Sequence, residues 1–198
     1  MIEQVTQKLL NFLLKQNQLS DDPKEISVYK YGLEITISSL LNFVLIIAIG
    51  AISGNFLESI LFLLCFVPLR QYTGGFHANT YFKCNLYFCI CFSVLLFIYN
   101  LTKDLCSLPC VLILDLISIL LIAYFCPIDN ANKKVAENDK KKYKVIAVVI
   151  AFITGLIGVL LLVVFNKNYG IIMSYTLLLV VVLVIISIIN ERRKICYE

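Results

Sequence analysis

Six apolar runs constrain this chain more than any other feature: Leu33 to Ser53, Phe56 to Leu69, Cys84 to Leu101, Cys106 to Cys126, Val145 to Phe165 and Ile171 to Asn190. A helix needs about 20 apolar residues to cross a bilayer, and a barrel strand only about 10. Inside lipid every backbone N–H and C=O must be bonded within the protein, which leaves only helices and closed barrels as spanning structures. The lengths choose helices. The expected fold is all-α: a polytopic membrane protein of about six transmembrane helices, preceded by an amphipathic helix, with an irregular segment between spans 2 and 3. The second run is the shortest and predicts a tilted or locally extended helix. With 198 residues, 60% of them hydrophobic, the chain has no room for a separate soluble domain and is expected to form one integral membrane domain.

Charge sets the expected orientation. Fifteen of the 17 lysines and arginines fall in the N-terminal segment, the loop around Arg70 to Lys83, the stretch from Lys133 to Lys144 and the tail at 191–198; only Lys103 and Lys167 fall on the other side. Cytoplasmic loops retain positive charge during insertion, so both termini and the Arg70 to Lys83 loop are expected in the cytoplasm of a multi-pass cell-membrane protein. The net charge of +4 is dispersed between apolar runs rather than gathered on one face, which argues against nucleic-acid binding. Glu3 and several amides occupy the place where a secretory signal would carry a basic cluster, so no cleaved signal is expected.

Before the first span, Ile2, Val5, Leu9, Leu10, Leu13 and Leu14 gather on one helical face opposite Glu3, Gln7, Lys8, Asn11 and Lys15. Residues 1–22 therefore read as an amphipathic helix, lying on the membrane or packed on the bundle's cytoplasmic end. Asp22, with Pro23 at the first helical position and Glu25 at the third, marks the start of the first long helix.

Of the eight cysteines, Cys65, Cys89, Cys91 and Cys126 lie in apolar runs where cysteine acts as a small buried hydrophobe. Cys106 and Cys110 are the only local pair at helical spacing, and a disulfide there is disfavoured. The stretch Arg70-Gln-Tyr-Thr-Gly-Gly-Phe-His77-Ala-Asn-Thr-Tyr-Phe-Lys-Cys84 is the most polar between two spans and holds the only histidine. A free thiol is only a few per cent thiolate at neutral pH, so a nucleophilic cysteine needs a base or a cation beside it. His77 is a candidate base and Arg70 a candidate cation or carboxylate clamp.

On an unbroken helix His77 and Cys84 would stand two turns, roughly 10 Å, apart, too far for direct proton transfer. Gly74 and Gly75 allow the chain to bend between them. If Cys84 lies in the first turn of its helix, free backbone N–H groups and the helix dipole would favour the thiolate and hold an oxyanion. The bland reading makes Arg70 a membrane-boundary anchor, His77 a surface residue and Cys84 a small buried side chain. A metal centre fits poorly, because Cys89 and Cys91 alternate around a helix instead of pairing at ligand spacing; no metal and no cofactor are expected.

The pattern Arg70, Gly75, His77-Ala78 and Cys84, together with the length, the six-span plan, the amphipathic N-terminus and the Pro127-Ile-Asp-Asn-Ala-Asn-Lys-Lys134 segment, resembles the accessory gene regulator B (AgrB-like) family of quorum-sensing membrane cysteine endopeptidases. The segment departs from that family after Lys133, where a proline often follows and Lys134 and Val135 stand instead. The resemblance implies Cys84 as nucleophile, His77 as its base, and Arg70 and Gly75 as supporting residues. It further implies cleavage of a small autoinducer precursor peptide (AgrD-like) through an acyl-enzyme, followed by thiolactone or lactone closure. Glu34, Asp115, Asp129, Asn130 and Lys133 remain candidates to orient His77 or bind substrate; Asp115 recommends itself as an ionisable residue within a span. A homodimer is compatible with the apolar faces. Two other classes compete, a small membrane peptide transporter and a non-enzymatic membrane scaffold, and neither needs the thiol.

Overall fold

The computed structural model describes residues 2–16, 22–74, 80–128 and 137–197. Seven helices follow one another: α1 (Ile2–Lys15), α2 (Pro23–Ile52), α3 (Phe56–Thr73), α4 (Tyr81–Thr102), α5 (Leu108–Phe125), α6 (Glu137–Val164) and α7 (Lys167–Tyr197). Six of them, α2 to α7, are long and apolar enough to cross a membrane, as the runs predict. The chain is thus an all-α, multi-pass membrane protein.

Local chemistry sets the helix starts. Asp22 accepts a hydrogen bond from Lys24 N at 3.1 Å with Pro23 at the first helical position, so the expected cap is present and satisfies a donor that the helix itself cannot pair. Thr80 does the same for α4, its Oγ1 accepting from Lys83 N at 3.3 Å. That cap begins α4 three residues before the apolar run. At the other end of the second span, α3 continues past Leu69 through Arg70 to Thr73. The short run is thereby lengthened by polar residues, as a locally extended helix requires.

The bundle is organised around α7, which packs against α3, α4, α5 and α6. Of its most apolar stretch 56% is buried, against 17–33% for the other five spans; it is the central helix and the others keep a face for lipid. α1 packs on α2, burying Thr6 and Leu10 and leaving Val5, Leu9 and Phe12 exposed. The helix thus packs on the bundle while keeping part of its apolar face exposed. One stripe rests on the bundle, and a second apolar stripe stays available to the bilayer surface.

The pairing of α3 with α4 is aromatic. Phe62 lies 4.6 Å from Phe92, and Phe66 lies 5.0 Å from Phe88, ring centroid to centroid. The helices are antiparallel, so each step of four residues along α3 is matched by a step of four back along α4. The next pair in that series is Arg70 and Cys84.

Candidate active site

Arg70 and Cys84 are indeed brought together. The Arg70 guanidinium lies within electrostatic reach of the Cys84, Cys91 and Cys126 thiols, Cys91 sharing the Cys84 face of α4 two turns on. Arg70 also donates through one terminal nitrogen to the carbonyl of Gly74. It therefore holds the turn that leaves α3 while presenting positive charge beside a half-buried thiol. Arginine suits both tasks, because its rigid fork donates in several directions and keeps its charge.

Gly74 has φ +71°, and its backbone forms a parallel bridge with Ile128, whose N–H donates to Thr73 O at 3.1 Å. A side chain at Gly74 would strike the Ile128 carbonyl. This position demands glycine twice over, for its left-handed backbone and for the close approach. The bridge has a topological result. The segment carrying Gly75 and His77 and the segment carrying Asp129, Asn130 and Lys133 both depart from one point, beside Arg70. Gly75, His77, Asp129, Asn130 and Lys133 themselves lie outside the described residues.

Cys84 is the fourth residue of its helix, and its own N–H donates to Thr80 O at 3.0 Å. With Lys83 N also occupied by the Thr80 cap, the free donors expected at Cys84 are already used. By helix geometry, Tyr81 and Phe82 are the first-turn residues whose N–H groups lack an intrahelical acceptor. The dipole at this end still favours negative charge.

Cys126, also close to Arg70, is buried, and that burial pushes its thiol up to about 11 despite Arg70 and Lys144 nearby. It stays protonated where Cys84 would have to react. Glu34 on α2 lies close to the Tyr81 hydroxyl, at the first residue of α4, which places it near the site. Asp115 lies elsewhere. It faces Gly155 of α6 and Ser174 of α7, eleven residues before Cys126 along α5 and so roughly 16 Å away along the axis. Neither of its carboxylate oxygens has a partner in ordinary hydrogen-bond geometry, the Ser174 hydroxyl donating instead to Gly170 O at 3.3 Å.

One set of residues beside Cys84 escapes sequence reasoning. Asn85 is 5% exposed, and its Oδ1 accepts from Ser38 Oγ at 2.8 Å and from Asn42 Nδ2 at 3.0 Å, both on α2. The signal available was three amide or hydroxyl groups inside apolar runs, which in lipid must find one another. Among the described residues no three His, Cys, Asp or Glu side chains converge as metal ligands would, and all seven described cysteines are free thiols, Cys106 and Cys110 among them.

The chain is similar to several known proteins. The family profile described as AgrB, accessory gene regulator B, matches residues 6–189. A protein of Listeria innocua serovar 6a named as AgrB-like is 26% identical over 179 residues, 89% of this chain and 85% of that protein. A Clostridium perfringens protein named as AgrB-like protein 2 is 25% identical over 148 residues, 72% of this chain and 68% of its own length. An AgrB-like protein of Listeria monocytogenes serovar 1/2a is 26% identical over 96 residues, a stretch covering 48% of this chain and 47% of the relative; the match thus spans about half the length of that relative. No solved structure matches the chain. With a family match over most of its length, this chain belongs to the accessory gene regulator B family of quorum-sensing membrane proteins.

Proposed function

We propose that the chain is a membrane cysteine endopeptidase that cleaves a small autoinducer precursor peptide and closes its product into a thiolactone or lactone ring, with Cys84 as nucleophile and His77 as base. The observation that carries this reading is the pairing of Arg70 with Cys84 at the point where the His77 segment leaves α3. Arg70 brings positive charge to the place where an oxyanion would form, and the left-handed turn at Gly74 begins the segment that joins α3 to α4.

In this mechanism the Cys84 sulfur adds to the scissile carbonyl, and the C–N bond breaks as His77 delivers its proton to the leaving amine. The acyl group remains on Cys84 as a thioester. The thiol or hydroxyl of the peptide's own internal cysteine or serine then attacks that carbonyl, forms the ring ester, and returns the proton and the sulfur to Cys84. No water enters the balance, which is why the site has to exclude it. The half-buried position of Cys84 among Arg70, Cys91 and Cys126 favours such exclusion. The lysine-rich end of the bundle, where the site sits, is then the cytoplasmic face.

The test is intact-mass analysis of the membrane-reconstituted protein mixed with the short cysteine- or serine-containing peptide encoded beside its gene. Wild type should carry an acyl adduct mapping to Cys84 that is absent from Cys84→Ala and His77→Ala. Cleavage of the peptide by Cys84→Ala at the wild-type rate would overturn the mechanism and favour a transporter or scaffold.

A further inference from the structure

Cys84 and Asn85 are neighbours on α4 but face different partners. Cys84 looks toward Arg70 on α3, and Asn85 toward Ser38 and Asn42 on α2. On the Asn85 side, between α1, α2 and α4, runs a groove of about 420 Å³ whose walls include Leu41, Leu45 and Leu86, with Glu3, Tyr81 and Asn85 as polar members. Its α4 wall runs from Thr80 and Tyr81 to Cys89, eight residues or about 12 Å of helix. That is the length of about four residues of extended chain.

We infer that this groove is the peptide subsite of the enzyme. It receives about four extended residues on one side of the scissile bond, an apolar side chain entering between Leu41, Leu45 and Leu86. The inference rests on the cysteine-peptidase reading of Cys84. Three features select a peptide over a lipid chain as occupant.

The first is Asn85. Its Oδ1 is doubly occupied by α2, which fixes the amide plane, and among the described residues its Nδ2 donates to none. A fixed amide donor on the groove wall matches a backbone carbonyl, whereas an acyl chain offers nothing to accept its protons. The second is charge. Glu3 lies in the groove wall and Glu34 stands beside the lining residue Tyr81, so the mouth carries acidic groups at the end of the bundle to which the sequence pattern assigns 15 of the 17 lysines and arginines. A cationic residue at the outer end of the peptide segment is the complement. The third is continuity. The groove is lined by Phe82 and Asn85, the residues on either side of Lys83 and Cys84, so a chain whose carbonyl sits at the sulfur needs only to cross the first turn of α4 to enter it.

The experiment has two arms in reconstituted protein. In the first, cleavage of the synthetic precursor is followed for wild type, Leu45→Trp, which fills the groove, and Asn85→Asp, which still accepts from Ser38 and Asn42 but no longer donates. Both variants are expected to raise KM about tenfold with kcat within about twofold, the signature of lost ground-state binding. In Leu45→Trp, which adds no charge, iodoacetamide should alkylate Cys84 at the wild-type rate. In the second arm, a photoreactive benzoylphenylalanine replaces Leu45 in the Cys84→Ala protein, and the expected crosslink is to the precursor. A crosslink to lipid alone, or an unchanged KM in Leu45→Trp, overturns the groove assignment even where cleavage needs Cys84. Cleavage by Cys84→Ala would instead sink the peptidase reading, while the crosslink still reports whether the groove holds the peptide.

Discussion

Gly74 and Ile128 are 54 positions apart in sequence and neighbours in space, joined by a parallel bridge in which Ile128 N–H donates to Thr73 O and which ties the end of α3 to the residues following α5. The bridge sits on the same turn that Arg70 grips through the Gly74 carbonyl. The two polar segments that the family resemblance singles out therefore begin at one fixed point.

Gly74→Ala should consequently be far more damaging than its size suggests. The left-handed backbone alone costs a side chain about 1–2 kcal/mol, and the added methyl would meet the Ile128 carbonyl. Gly54 is the internal control, since it shares φ +71° but has open space around it. Thermal melts in detergent should show Gly54→Ala mildly destabilised. Gly74→Ala should lose at least about tenfold in precursor cleavage as the turn beside Arg70 shifts. Equal behaviour of the two variants would deny the bridge any role at the site.

Cys126 provides a test by contrast with Cys84. A raised thiol value favours the neutral form, so Cys126 should resist iodoacetamide at pH 8 in the folded protein and react only after unfolding. The sign for stability follows. Burying the neutral thiol stabilises the fold fully below its unfolded value of roughly 8.5, and that contribution fades as pH rises toward about 11. Cys126→Ala should therefore leave cleavage intact and flatten the decline of melting temperature across that window. Peptide mapping that found Cys126 alkylated before Cys84 at pH 8 would contradict the assignment of roles.

How much of this was legible beforehand depended on range. The six spans and the Asp22 cap were readable because hydrophobic length and capping are local properties. The apolar run begins at Cys84, whereas α4 begins at Tyr81 behind the Thr80 cap, a polar signal that hydrophobic length does not register. The register of Phe62 with Phe92 and Phe66 with Phe88 left no trace in periodicity, since spans that face lipid on one side and protein on the other are apolar all round. For the same reason the contact of Asn85 with Ser38 and Asn42 was unseen. Arg70 and Cys84 were nominated by spacing and resemblance, while Asp115 was nominated by its cost within a span and stands apart from them.

Arg70 separates charge from geometry. Arg70→Lys keeps a cation near Cys84 but cannot reproduce the planar fork that donates to Gly74 O while its charge stays within electrostatic reach of the thiols. Arg70→Gln keeps a donor for the carbonyl and removes the charge. Cleavage should fall in both, by about tenfold or more in Arg70→Lys and further in Arg70→Gln, which loses the charge as well. If Arg70→Gln cleaved as well as Arg70→Lys, the electrostatic role of Arg70 would be disproved and only its hold on the turn would remain.

Asp115 should behave in the opposite way. It is 5% exposed in the middle of a span, with Ser118 Oγ, one turn further along α5, also lacking a partner. A carboxyl group in that position costs the fold more than an amide, because insertion of aspartate at a helix centre is unfavourable by about 3 kcal/mol. Asp115→Asn removes the ionisable group and supplies two donors beside Asp115's own neighbours, among them the Ser118 hydroxyl. If about 1 kcal/mol of that cost is recovered, the melting temperature should rise by roughly 2–4 °C. Precursor cleavage should remain at the wild-type level, since Asp115 faces Gly155 and Ser174 rather than Cys84. A folded Asp115→Asn protein that failed to cleave would show that the carboxylate acts in the reaction over a distance of about three turns of α5, and a mid-membrane proton or cation pathway would then have to connect it to the site.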